Sequence, residues 1–262
     1  MTKEKKQKKP SSNGKAKTRG KFYLLARSYL DLQHLRIAVE HRIRKIKESG
    51  FDLEENKPIL EVLEVLAREL RLEEKRVLEE AKRFIRDHPI WSYCQRVKGM
   101  GDVAALTFLG FIDPYVADTA GKARAYFGLV PEAELRSGSK ARFNPEGKGR
   151  VWLVVRNVIM QRDPYYYPLY QKKKAYYMER MGAYINNPQL CPNYEECKRR
   201  IMSKARRLGR PPKKFPCKAH IDNKAKRWLA GLIVSHATQI LREAEGLDVS
   251  NFKKHRGYIP PP

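Results

Sequence analysis

Residues 97–105 read Val97-Lys98-Gly99-Met100-Gly101-Asp102-Val103-Ala104-Ala105, the most informative stretch of the chain. An apolar residue, a Gly-x-Gly turn and an alanine four residues later are typical of a helix–hairpin–helix element. Its two glycines predict a tight turn with positive φ angles, where a Cβ atom would clash. The helix that follows would offer free backbone N–H groups and a positive dipole end to a phosphate. Lys98, Gly99, Met100 and Gly101 are therefore candidate DNA contacts, although such turns also serve as plain helix connectors.

The chain is strongly basic. Its 262 residues carry 55 Lys and Arg against 29 Asp and Glu, a formal net charge of +26. Residues 1–21 hold nine basic side chains against one acid, and residues 198–226 hold twelve against one. A field of this sign predicts a polyanionic partner.

Two features favour nucleic acid over a membrane as that partner. No uninterrupted apolar run reaches the length of about 18 residues that a spanning helix needs. The N-terminus also lacks the apolar core of a signal peptide. The sequence therefore predicts DNA as partner, no membrane, and a cytoplasmic protein (nucleoid-associated in a prokaryote).

Apolar residues recur at helical spacing along most of the chain, and no convincing strand alternation interrupts them, so the predicted fold is mainly α. A long antiparallel helical pair leads into a helical domain that contains the Gly-x-Gly turn. The predicted divisions are a disordered basic arm (1–20), the helical pair (21–90), the helix–hairpin–helix domain (91–183), a small irregular basic Cys/His insertion (184–221), and a C-terminal helix with a Pro-rich tail (222–262).

Individual helices are predicted from this spacing and from their caps. The acidic and basic residues of the first pair indicate a solvated face, and a polar loop rich in Gly and Ser is expected over 132–149. Helices are predicted over 21–49, 58–86, 91–96, 102–109, 119–127, 151–161, 164–181 and 222–244.

Three motifs occur in a fixed order: the Gly-x-Gly turn, then Tyr126-Phe127-Gly128-Leu129-Val130-Pro131, then Arg136-Ser137-Gly138-Ser139-Lys140. This order resembles the C-terminal domain of the insertion-sequence-110/116/902 transposases, where a Gly-x-Gly hairpin precedes an Ala-Gly-Leu-x-Pro-like segment and a Ser-Gly loop. The stretch from His220 to Leu229, Glu245-Gly246-Leu247 and the terminal Tyr-Ile-Pro-Pro resemble a compact transposase-like subgroup. The resemblance covers residues 22–262 and implies a role in DNA transposition and recombination of a mobile element.

The resemblance further implies a serine nucleophile that attacks a phosphodiester, with Ser137 as first candidate and Ser139 as second. Basic residues around them would neutralise the phosphate in the transition state. A non-catalytic module that binds DNA or RNA would carry the same loop, and this alternative stays open. The candidate DNA contacts of the loop are Arg136, Lys140, Arg142, Lys148 and Arg150.

One departure from the family is large. The full-length transposases carry an N-terminal nuclease-like domain with four acidic metal ligands, whereas residues 21–90 here predict paired helices. The acidic residues of this region have no spacing that indicates Mg²⁺, so Mg²⁺ chemistry by this chain alone is not expected. A homo-oligomer is expected, because strand exchange joins two duplexes, and a guide or structured RNA remains a further partner to consider.

The cysteines suggest a structural zinc site. Cys191, Cys197, Cys217 and His220 would give zinc three thiolates and one imidazole in a loop that has few apolar residues. Free thiols are the alternative, and Cys94 is expected to be a buried small hydrophobe. Arg206, Arg207 and Arg210 would then form part of a basic projection toward DNA, although a merely solvated loop is equally compatible with them.

Overall fold

A computed structural model describes residues 12–48, 55–130, 143–209, 211 and 217–253, without the side chains of residues 12–19, 200, 208, 217–219 and 253. These residues form helices and contain no strand, which confirms the predicted mainly α fold. The helices are α1 (Ser12–Glu48), α2 (Lys57–Ile85), α3 (Pro89–Arg96), α4 (Asp102–Phe111), α5 (Ala120–Tyr126), α6 (Pro145–Met160), α7 (Tyr166–Met181), α8 (Ala183–Asn186), a 3₁₀ turn (Pro188–Leu190), α9 (Tyr194–Leu208), α10 (Cys217–Ala244) and α11 (Ser250–Lys253).

The chain divides into two compact units. The first contains the chain up to Gln95 together with Gly101–Asp113. The second contains Arg96–Met100 together with the chain from Pro114 onward. Helices α1, α2 and α4 belong to the first unit, and α5 to α11 belong to the second.

The first unit is built on the antiparallel pair of α1 and α2. Ion pairs show the direction, because Lys47 bonds to Glu64 near one end while Arg36 bonds to Glu74 near the other. Apolar side chains at helical spacing form the seam between the two helices. Val39, Ala67 and Leu70 are buried there, with Leu32, Ile43 and Leu63 packed against them.

A buried ion pair crosses this seam. Arg36 Nε donates to Glu74 Oε1 at 2.5 Å, and Glu74 is only 6% exposed. Arg36 also donates to Glu40 at 2.8 Å, and this hydrogen bond is the main reason that the pKa of Glu40 is lowered. The expectation that the acidic residues of this pair all lie on a solvated face is therefore wrong for Glu74.

The second unit is organised around α10. This helix contacts α5, α6, α7 and α8, and it is buried on several sides, as expected of a central helix. Its side chains with little or no solvent exposure include Ile221, Ala225, Leu229, Ala230, Ile233 and Ala237.

Two helices begin earlier than the sequence predicts. α1 begins at Ser12, so residues 12–20 of the predicted disordered arm are helical; their Lys, Ala and Arg residues are good helix formers. α6 begins at Pro145 and not at 151, because the Asn144 side chain accepts a hydrogen bond from the Gly147 amide at 2.9 Å and so caps the helix.

The predicted irregular insertion is also partly helical. Residues 194–208 form α9, which ends at Gly209 with φ +58 in the left-handed region. Glu195 and Glu196 in its first turn and Arg206 and Arg207 in its last turn complement the helix dipole. The irregular character predicted for this region is wrong over this helix.

Some expectations lie outside the described residues: the end of the first helix at Gly50 and the Pro-rich tail at 258–262. Across the described ranges, none of the helices combines the length and the apolar character that crossing a membrane requires.

Candidate functional site

The Gly-x-Gly turn connects α3 to α4 as predicted. Gly99 has φ +91, which favours glycine, whereas Gly101 has φ 166 and is ordinary extended backbone. The expectation of a positive φ at both glycines is therefore correct for Gly99 alone. A Cβ atom on Gly99 would lie 2.6 Å from the backbone of Asn157, so this glycine also permits close packing against α6.

A buried carboxylate binds the same turn. The Lys98 amide donates to Asp163 Oδ2 at 2.9 Å, and Asp163 is 2% exposed. The other oxygen of Asp163 accepts from the amides of Tyr165 and Tyr166, at the start of α7. One backbone donor of the turn is thus already used within the fold.

The N-terminus of α4 has a carboxylate of its own. Asp102 lies in the first turn and accepts from Trp91 Nε1 at 2.8 Å and from Gln95 Nε2 at 3.0 Å. Lys82 forms an ion pair with it at 3.0 Å. This negative charge competes with any phosphate at the helix dipole. These contacts favour the connector interpretation of the turn, although Lys98 is exposed and Gly99, Met100 and Gly101 are half-buried.

The candidate nucleophiles lie between Val130 and Phe143, and this stretch is called the serine segment; the structure describes only the residues on its two sides. Ser137, Ser139, Arg136, Lys140 and Arg142 lie outside the described residues.

The two ends of that segment are held together. The Asn144 amide donates to the Tyr126 carbonyl at 2.8 Å, and the Asn144 side chain donates to the Tyr126 hydroxyl at 3.0 Å. Gly128 has φ +60, and a Cβ atom on it would lie 2.6 Å from the Phe143 ring. Tyr126 and Gly128 therefore pack against Phe143 and Asn144, directly before the start of α6.

Two of the predicted loop cations lie in α6. Arg150 is 8% exposed and belongs to a helix, so the expectation that it projects from a flexible loop is wrong. Lys148 is half-buried, with its ammonium 4.6 Å from the centroid of the Phe143 ring. Burial lowers the pKa of Lys148, and the nearby positive charge of Arg227 lowers it further.

A third cation lies beside the same part of α10. A Cβ atom on Gly231 would lie 2.9 Å from Arg124 Cδ, so the Arg124 side chain passes over Gly231. Arg227 is one helical turn before Gly231 on the same side of α10. Burial lowers the pKa of Arg124 as well. Arg124 Nε also donates to the Ala120 carbonyl at 2.9 Å. Lys148 and Arg227 are called the cationic site below.

The cationic site has the chemistry of an anion-binding site. Removal from water and a nearby like charge both raise the free energy of a charged group. A bound anion would reverse both effects, and guanidinium groups suit phosphate oxygens in particular. The described geometry is therefore better suited to a phosphate group than the Gly-x-Gly turn is.

Sequence reasoning selected Lys148 but missed Arg227 as a site residue. The proximity of the two depends on how α6 packs on α10, and no local motif encodes that packing. The one available indication was that Arg227 belongs to the stretch from His220 to Leu229, which carries part of the family resemblance.

Two of the four proposed zinc ligands are in contact. Cys197, in the first turn of α9, has its Sγ 3.6 Å from His220 Nε2 in the first turn of α10. Tetrahedral zinc with ordinary bond lengths separates a thiolate from an imidazole nitrogen by about 3.5 Å. Cys191 is buried at the end of the 3₁₀ turn, and the side chain of Cys217 lies outside the description.

The basic residues of α9 lie along an open groove of 370 Å³, which is lined by Arg199, Ser203, Lys204 and Arg207. Arg206 is exposed beside them, and Arg210 lies outside the described residues. This helix therefore presents positive charge to solvent.

No family model and no curated protein matches the sequence, and no solved structure matches the fold.

Proposed function

We propose that this chain binds DNA through its phosphate groups and acts in transposition or recombination. The observation that carries the proposal is Lys148, a half-buried cation of α6 that lies near the exposed Arg227 of α10, so that burial and a neighbouring like charge both lower its pKa. The basic groove of α9 and the net charge of +26 support the same ligand.

The position of the cationic site gives the serine hypothesis a physical basis. Lys148 is five positions beyond Phe143, the first described residue after the segment that contains Ser137. A phosphate on the cationic site would have its charge neutralised there. The chain on the two sides of the segment is joined by the hydrogen bond from the Asn144 amide to the Tyr126 carbonyl.

The proposed step is a transesterification by Ser137, or by Ser139 in its place. The serine oxygen forms a bond to phosphorus, and the bond between phosphorus and one sugar oxygen breaks. The serine proton passes to solvent, and the leaving sugar oxygen takes up a proton from solvent. The product is a phosphoserine diester that keeps the energy of the broken bond for rejoining a second strand.

Neutralising the cationic site tests phosphate binding. In the double variant Lys148→Gln/Arg227→Gln, we expect weaker binding of a 30-base-pair duplex. The slope of log affinity against log salt concentration should become shallower by about 2, because two phosphate contacts are lost. Fluorescence anisotropy at several salt concentrations measures both quantities.

The matched control removes the same charge elsewhere in the second unit. Arg156→Gln/Lys122→Gln changes two exposed cations of α6 and α5. It should leave the slope nearly unchanged. Equal losses in the two double variants would mean that only net charge matters, and the site assignment would then be rejected.

Covalent capture tests the serine step. Labelled duplexes covering the DNA that flanks the coding gene are incubated with the protein and then denatured. We expect a protein–DNA adduct that Ser137→Ala or Ser139→Ala abolishes and that Ser92→Ala, an exposed serine of α3, retains. If wild-type protein binds these duplexes without forming an adduct, the serine step is rejected and the protein is a non-catalytic DNA-binding module.

We also propose that Cys191, Cys197, Cys217 and His220 hold a structural zinc ion that joins α9 to α10. The contact between Cys197 and His220 supports it. Purified protein should contain about one zinc per chain, and Cys197→Ser should lose it while Cys94→Ala retains it. Folded wild-type protein without zinc, measured by mass spectrometry of the metal content, would reject this site.

A further inference from the structure

A second surface of the same unit combines aromatic rings with positive charge. Leu169, Lys172, Lys173 and Tyr176 recur at helical spacing along α7, and Trp228 of α10 completes a pocket of 140 Å³ around them. These five residues are called the aromatic pocket. None of them belongs to the cationic site.

Cations lie over the rings of the pocket. Lys173 Nζ is 4.1 Å from the centroid of the Tyr176 ring and 5.7 Å from that of Trp228. Arg180 Cζ lies 4.7 Å from the Tyr176 ring. At these distances the positive charges are attracted to the ring faces.

The pocket is open to solvent. Tyr176 is 37% exposed, Lys172 is exposed, and Trp228 is half-buried. By contrast, Tyr166 and Tyr170 of the same helix are buried in the core. Tyr176 and Trp228 thus border an open pocket, whereas the core tyrosines do not.

We propose that the aromatic pocket binds one unstacked base of single-stranded DNA. Aromatic side chains stack on bases of any sequence, and cations at the rim contact the flanking phosphates. The pocket volume of 140 Å³ is of the size of one planar base. Lys172, Lys173 and Arg180 supply the positive rim. The inference rests on the proposed function only in taking DNA as the polymer.

The test compares a strand that has bases with one that lacks them. Full-length protein is titrated with a labelled 12-nucleotide oligo(dT) and with the same strand carrying abasic sites at its central positions. Both strands have the same number of phosphates, so a difference in affinity reports contacts to bases. For wild-type protein we expect oligo(dT) to bind roughly 5- to 100-fold more tightly.

Variants assign that preference to the pocket. Trp228→Leu and Tyr176→Leu keep apolar bulk but remove a ring, so each should reduce the preference for oligo(dT) while leaving the affinity for the abasic strand within about twofold. Trp152→Leu, at a half-buried tryptophan of α6, is the matched control and should keep the preference. Circular dichroism verifies that each variant is folded.

Several results would overturn the inference. One is equal affinity of wild-type protein for both strands. A second is an equal loss of affinity for both strands in both ring variants. A third is tighter binding of oligo(U) than of oligo(dT), which would make RNA the occupant. A base preference without any binding of duplex DNA would refute the proposed function alone. Salt-dependent duplex binding without a base preference would refute only the aromatic pocket.

Discussion

Gly99 and Gly101 have different roles although they are neighbours in one motif. Gly99 combines φ +91 with a backbone that would lie 2.6 Å from an added Cβ atom. Gly101 is extended, and nothing lies within 4 Å of the position of its Cβ atom. The sequence predicts the turn correctly, but it does not show which glycine the packing requires.

This difference gives a prediction at the residue scale. Gly99→Ala should lower the free energy of unfolding by about 2 kcal/mol or more, because alanine is strained at this φ and clashes with the backbone of Asn157. Gly101→Ala should change it by less than about 0.5 kcal/mol. Chemical denaturation measures both values. Equal effects would contradict the assigned packing role of Gly99.

Gly101→Ala also tests the turn as a phosphate contact. If its backbone binds DNA, a methyl group at this open position would weaken duplex binding without destabilising the fold. The contacts of Asp102 and Lys98 lead us to expect unchanged affinity for this variant.

Asp222 predicts a pH dependence. Burial opposes its ionisation, but hydrogen bonds from Lys226, Tyr170 and Lys174 outweigh this and lower its pKa from 3.8 to about 2. A carboxyl whose pKa is lower in the folded state stabilises the protein above its unfolded pKa. That contribution is lost as the pH falls from about 4 toward 2.

The expected contribution of Asp222 is about 1 to 2 kcal/mol at neutral pH, after allowance for solvent screening. Asp222→Asn should therefore be less stable than wild type at pH 7, and the difference should shrink toward pH 2. Urea denaturation at several pH values measures it. Asp31→Asn, at an exposed carboxylate of α1, is the control, and a difference that stays constant with pH would contradict the assignment.

At the scale of elements, α2 carries an apolar stripe that its partner helix does not cover. Its members recur at helical spacing and are 41 to 66% exposed: Ile59, Val62, Val65, Leu66 and Leu72. Exposed apolar patches of this kind mark interaction surfaces in soluble proteins. The stripe supports the expectation of a homo-oligomer.

A charge in the stripe should therefore dissociate the oligomer. In analytical ultracentrifugation we expect wild-type protein to have a mass greater than that of one chain, and Val62→Lys to have a mass closer to that of one chain. Leu153→Lys makes a comparable change at an exposed apolar position of α6 and should leave the mass unaltered. Wild-type protein that is monomeric at tens of micromolar would contradict this role of α2.

Most helices could be predicted from periodicity and caps. α2 begins beside Pro58 and α5 is capped by Thr119, as the sequence indicates. The start of α6 was missed, although Asn144-Pro145 is a recognisable cap followed by proline at the first turn. The burial of Glu74 could not be predicted, because the pairing register of α1 and α2 decides it.

The candidate site was less predictable than the fold. Lys148 was identified from its place in a basic stretch, but the same reasoning wrongly treated Arg150 as a loop cation. Arg227 belongs to α10, about 80 positions after Lys148, and the two come near each other only through the packing of α6 on α10. Charge along a sequence predicts the sign of the ligand but not which cations share a site.

For the whole molecule, the net charge predicts that the affinity for DNA depends strongly on salt concentration. Each neutralised phosphate releases counterions, so affinity falls linearly with salt on logarithmic axes with a slope of about −0.9 per contact. With the cationic site and α9 both engaged, we expect a slope of about −4 or steeper for duplex DNA. Titrations between about 50 and 300 mM salt measure it. A slope near zero would contradict binding through phosphates.

Cys94 has a consequence for how the first unit opens. It has no solvent exposure, and burial raises the pKa of its thiol. Maleimide reagents modify the thiolate, so this cysteine becomes labelled only in molecules that have transiently unfolded. In a variant without the other three cysteines, the labelling rate at increasing reagent concentration would therefore record how often this part of the chain opens under native conditions.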